Sequence, residues 1–122
     1  MKQTLIAPCG MNCAICKGFL RKNIKCPGCY VGRKINGRCL KCIISHCLKR
    51  LKNNWRFCYK CDTFPCVRMK QLDERYKKNY DVSLIGNQKY IQRYGIQKFV
   101  RREKKKWLKG KQVLCVHDKQ LY

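Results

Sequence analysis

The chain has 122 residues and carries 30 Lys and Arg against 6 Asp and Glu, a formal charge of +24. Its length makes one domain the expectation, and no apolar run approaches the length of a bilayer-spanning helix. The six acids offer no pair spaced for general acid–base work, while so large a cationic excess points to a polyanionic partner, RNA or DNA ahead of a membrane surface.

Residues 1–7 read as a short strand or extended lead-in, with one Lys and an apolar run far too brief for an export signal. The expected setting is therefore the reducing cytoplasm, where thiols stay free. Pro8 fixes the backbone before a Cys9-x3-Cys13-x2-Cys16 triplet, in which Gly10 and Asn12 tolerate positive φ. Residues 17–25 hold a helical turn with Phe19, Leu20 and Ile24 expected to face inward. Cys26-Pro27-Gly28-Cys29 favours a type II bend, and Asn36-Gly37 marks a hairpin-like turn. Cys39-x2-Cys42-x4-Cys47 then recurs as Cys58-x2-Cys61-x4-Cys66.

After Cys66 the period changes to that of helices. Met69, Leu72, Tyr76 and Tyr80 share one face of the first. Asp81 or Ser83 caps a second, carrying Leu84, Ile85, Gln88, Ile91 and Tyr94 and ended by Gly95. Ile96, Phe99, Val100, Glu103 and Trp107 mark a third, expected to close at Gly110. Residues 112–116 are β-prone and turn at residues 117–119 into residues 120–122 as a hairpin. The expected fold is a small metal-stabilised α+β domain. Residues 1–66 form a cysteine-rich, multi-metal module of zinc-knuckle turns with little regular structure. Residues 67–122 form a basic segment of about three short helices and a C-terminal hairpin, packed as one domain with the first.

The cysteine spacing carries the chemistry. Four C-x-x-C pairs, Cys13/Cys16, Cys26/Cys29, Cys39/Cys42 and Cys58/Cys61, each bend the backbone so that two thiolates point at one ion. Residues 17–66 have few large apolar side chains, so metal ligation is expected to replace a core there. Disulfides are the rival use of the cysteines and conflict with the expected compartment. The ligand set is Cys9, Cys13, Cys16, Cys26, Cys29, Cys39, Cys42, Cys47, Cys58, Cys61, Cys66 and Cys115, with His117 placed beside Cys115 by a Cys-x-His step on a strand. Twelve thiolates suit three Zn²⁺. The simplest sequential pairing joins Cys13/Cys16 with Cys26/Cys29; interleaved pairings satisfy the spacing equally. An iron–sulfur cluster is the alternative cofactor, and the Cys9 triplet has the spacing found in radical S-adenosylmethionine enzymes, whose barrel this chain is too short to build. A redox dithiol at Cys26 lacks the preceding buried strand.

Two basic stretches mark a nucleic-acid surface. Lys49, Arg50, Lys52, Trp55, Arg56 and Lys60 alternate charge and ring, and Arg101, Arg102 and Lys105 lie on the third helix with Lys104, Lys106 and Lys109 nearby. No phosphate-cradling glycine loop and no zinc-deaminase signature is present, so the sequence leans away from an enzyme. The expected function is a zinc-binding module for RNA or DNA. The alternatives are an iron–sulfur redox or sensor protein and an adaptor that binds an unidentified protein.

Residues 7–66 also carry a motif order: Ala7-Pro8-Cys9-Gly10 with Cys13 and Cys16, Cys26-Pro27-Gly28-Cys29, Cys42 to Cys47, Cys58-x2-Cys61, then Phe64-Pro65-Cys66. In this the chain resembles a widespread prokaryotic cysteine-rich family of unknown function to which zinc binding is ascribed. The resemblance implies ligand roles for the matching cysteines and a cytoplasmic setting, and supplies no reaction. The family's tail commonly holds a cysteine pair where this chain has Cys115 and His117.

Overall fold

A computed structural model describes residues 1–32 and 42–122. The expectations for Cys39 and for the Asn36-Gly37 turn lie outside the described residues. The architecture is α+β. Short helices α1 (Lys17–Leu20), α2 (Cys29–Gly32) and α3 (Leu48–Lys52) lie among the cysteines. They are followed by three longer ones, α4 (Val67–Tyr80), α5 (Leu84–Tyr94) and α6 (Ile96–Trp107). An antiparallel hairpin, β1 (Leu108–Lys109) and β2 (Gln112–Val113), closes the chain.

The long helices begin and end where their backbone chemistry requires. Ser83 Oγ accepts the Gly86 N–H, satisfying one of the free donors at the start of α5. Asp81 instead ends α4, in the left-handed conformation at φ 55°. Gly95, at φ 90°, separates α5 from α6; space there is open, so conformation alone favours glycine. The third helix stops at Trp107, before the expected Gly110, because the chain is drawn into β1 and Gly110 supplies the positive φ of the hairpin turn. Residues 112–116 pair on both sides: with β1, and through a bridge from Leu114 to Leu121 in the expected hairpin with the C-terminal residues.

The N-terminal lead-in is a 3₁₀ turn, Gln3–Leu5, followed by a tight loop closed by an Ile6–Asn12 bridge. This loop belongs to the core. Ala7, Met11 and Ile15 pack with Met69, Leu84, Trp107 and Val116, and Ile6 packs with Phe57, Ile91, Phe99 and Val100. Burying a side chain of this size contributes about 1.5–3 kcal/mol. By contrast, Ile44 and Phe57 are the buried aliphatic and aromatic side chains described between residues 16 and 66. Ile24, expected inward, is 85% exposed at φ 51°, because the chain leaves α1 in a bend that turns it away from Phe19 and Leu20.

Candidate metal centre and basic groove

Two buried amides of α5 hold the cysteine loops in place. Gln88 Nε2 donates to the Cys9 carbonyl and Asn87 Nδ2 to the Gly10 carbonyl, each at 2.9 Å. Gln88 Oε1 accepts the Tyr59 N–H at 2.9 Å, and the Cys58 N–H donates to the Pro8 carbonyl at 3.1 Å. One helix thus ties the Cys9 loop to the Cys58 turn. Gly10 permits the approach: its φ is 93°, and a Cβ there would meet the Leu84 carbonyl oxygen at 2.6 Å.

The thiols fall into neighbourhoods. Cys13 Sγ accepts the Cys29 N–H at 3.3 Å. Gly18 lies against Cys16 Sγ and Cys26 Cβ, with the Cys26 N–H donating to the Gly18 carbonyl. Gly28, at φ 100°, has the positive φ required at the third position of a type II bend. Cys13 thus lies beside Cys29, and Cys16 and Cys26 flank Gly18. Cys47, Cys58, Cys61 and Cys66 line a second site, a cavity of about 40 Å³ closed by Ile44, Phe64 and Arg50. Burial pushes the Cys9 thiol up, reinforced by Cys29, Cys58 and Cys42 close by. Cys58 is pushed up to about 12, by burial first and with Arg50 opposing. Cys61 is held below the usual thiol range by hydrogen bonding to Thr63, with Lys49 assisting.

No disulfide joins any two of the eleven described cysteines. Among the described residues no three Cys, His, Asp or Glu side chains close around a point as a finished metal group. The donor chemistry nevertheless fits a soft or borderline cation: four sulfur donors, the Cys58/Cys61 C-x-x-C pair with Cys47 and Cys66, line one small cavity. His46 adds to this. Its Nε2 is buried without a hydrogen-bond partner among the described residues, and its ring borders a cleft with Cys42 and Cys47. Cys115 is fully buried, and residues 116–118 form a turn rather than the strand expected to align Cys115 with His117. His117 Nδ1 accepts the Lys17 N–H at 3.2 Å, and its ring meets the Tyr80 edge.

The basic residues divide into those that hold the fold and those that face out. Arg50, expected on the nucleic-acid surface, is 4% exposed; it donates to the Ser45 and Trp55 carbonyls and braces the loop between two cysteine groups. Arg56 is half-buried, donating to the Gln3 and Ile6 carbonyls beneath the Tyr30 ring. Trp55 is half-buried. Lys49 pairs with Asp62, and Lys52 and Lys60 are exposed.

Arg101, Arg102 and Lys105 are brought together. With Lys98 and Tyr90 they line an open groove of about 290 Å³ between α5 and α6. Sequence reasoning missed Lys98, Tyr90 and Tyr94. The signal was there in the one-face spacing of positions 98, 101, 102 and 105 and in the four-residue step between the tyrosines. On the opposite side of α6 Glu103 is buried. Burial raises its carboxyl, with Arg102 opposing, and it accepts from Asn12 Nδ2 at 3.5 Å. No described helix is long and apolar enough to cross a membrane.

The chain matches no protein-family model, no curated protein and no solved structure. The resemblance to the cysteine-rich family therefore stands on motif order alone.

Proposed function

We propose that this chain is a small zinc-organised module that binds nucleic acid. The observation that carries the binding is the α5–α6 groove, where four cations and a tyrosine converge and, among the described residues, no acid lines the wall. Cationic side chains contact phosphates, and the displaced counterions make such binding fall with salt. Zn²⁺ would be held by the two cysteine groups, Cys13/Cys16/Cys26/Cys29 and Cys47/Cys58/Cys61/Cys66. Cys9, Cys42 and His46 remain for a third ion, with Cys39 and Cys115 the other cysteines of the expected set. Four-thiolate sites are closed, so the ion supplies cross-linking rather than a reacting water. The reading is of a cytoplasmic binding protein within the cysteine-rich family it resembles.

Fluorescence anisotropy with labelled RNA and DNA over a salt series tests the binding. Affinity should fall linearly in log–log form with salt; no binding near 50 mM salt would refute it. Metal analysis of anaerobically purified protein tests the cofactor. Colourless protein with about three Zn²⁺ per chain is expected, whereas brown protein with visible absorbance would assign the iron–sulfur reading instead.

A further inference from the structure

The same groove goes further, on the basis of that reading. We propose that it takes single-stranded nucleic acid in preference to duplex, with phosphates along Lys98, Arg101 and Lys105 and a base against Tyr94.

The cations at 98, 101, 102 and 105 form one stripe along about 10 Å of helix axis. Among the described residues Lys98, Arg101 and Lys105 make no ion pair, so their charge is available to a ligand. Glu103, the acid of α6, points into the core with its side chain 5% exposed. Tyr90 stands across the groove from the cations, and Tyr94 lies beside it, next to the groove rather than in its lining. Tyr90 and Tyr94 stand one helical turn apart with ring centroids 4.7 Å from each other.

Tyr94 is 46% exposed, with the Arg93 guanidinium 5.3 Å and the Lys98 ammonium 6.0 Å from its ring. A duplex keeps its base faces stacked inside and offers phosphates to such a surface, so an exposed ring among cations gains nothing from it. An unpaired strand presents base faces and phosphates together, which this pairing of ring and cation matches. The floor is already ordered. The Arg102 guanidinium lies 4.2 Å over Tyr90 and donates to Asn87 Oδ1 at 3.1 Å. Asn87 is itself anchored on the Gly10 carbonyl. Little side-chain entropy remains to be lost there when a strand binds.

Anisotropy on the full chain, with labelled oligo-U, oligo-dT and a mixed-sequence duplex of about 12 nucleotides per strand, decides it. Either single strand should bind about tenfold or more tighter than the duplex at equal salt. Tyr94→Ala should weaken single-strand binding about five- to fiftyfold and leave duplex binding unmoved, while Tyr94→Phe retains the affinity. Lys98→Ala combined with Lys105→Ala should flatten the log–log salt slope by about 1.4, at about 0.7 per phosphate. Duplex binding as tight as single-strand binding, or a Tyr94→Ala protein that binds as the parent does, overturns the inference. If the lysine substitutions still weaken every probe, the nucleic-acid reading survives that result. Absence of binding to all three probes removes both.

Discussion

Arg50 and Arg102 carry the same guanidinium into opposite settings. Arg50 is enclosed by carbonyls of its own loop, whereas Arg102 is stacked on Tyr90 at the rim of a groove. Asp73 shows how partners, not residue type, set a charge. It is buried on α4, and burial would raise its carboxyl; the Ile85 N–H, the Ser83 hydroxyl and Lys77 outweigh that and hold it low. A depressed carboxylate stabilises the fold above its unfolded pKa and loses that contribution as pH falls through the folded value. Asp73→Asn should therefore cost about 1–3 kcal/mol near neutral pH. The gap from the parent should close as pH falls below about 4. Urea unfolding of both proteins across pH measures it; a gap that does not vary with pH would show that charge plays no part.

At the scale of elements, α5 is the central clamp. It packs against α4 and α6 and reaches the cysteine loops through Asn87 and Gln88. Gln88→Ala would leave the Cys9 carbonyl and the Tyr59 N–H without their side-chain partner, at about 1–3 kcal/mol for each buried group left unpaired. Gln92→Ala, on the exposed face, should lie within about 0.5 kcal/mol of the parent. Thermal unfolding compares them, and equal losses would mean that α5 does not organise the loops. The helices themselves were legible in the sequence. Phe99, Val100, Glu103 and Trp107 recur at helical spacing and are buried, and a Ser-x-x-Gly start and a Gly stop bound α5. Their periodicity could not show that Gln88 faces the Cys9 loop, because that contact joins residues 79 apart.

For the whole molecule, the N-terminal loop is part of the helical core, and this divides the chain's dependence on metal. Residues 6–15 are fastened by apolar contacts and by amides of α5. The residues described between 16 and 66 bury few apolar side chains besides Ile44 and Phe57 and depend on ligation under the proposed reading. Chelation should therefore speed proteolysis and hydrogen exchange between residues 16 and 66 while α4, α5 and α6 stay protected. Unchanged cleavage after complete metal removal would remove the ions from the stability of the fold. Uniform melting would show instead that the two parts unfold together.

By itself the sequence determined the local features: the helix period, the Ser83 cap and the Gly95 stop. Each of these depends on residues within about one or two turns of one another, where backbone geometry is strict. The tertiary structure decided which cations are taken up by the fold and which cysteines share a cavity. It also drew Tyr90 and a stripe of cations into one groove. Those outcomes follow from the packing of segments far apart in the chain, where burial and competing hydrogen-bond partners determine what a side chain is left free to do.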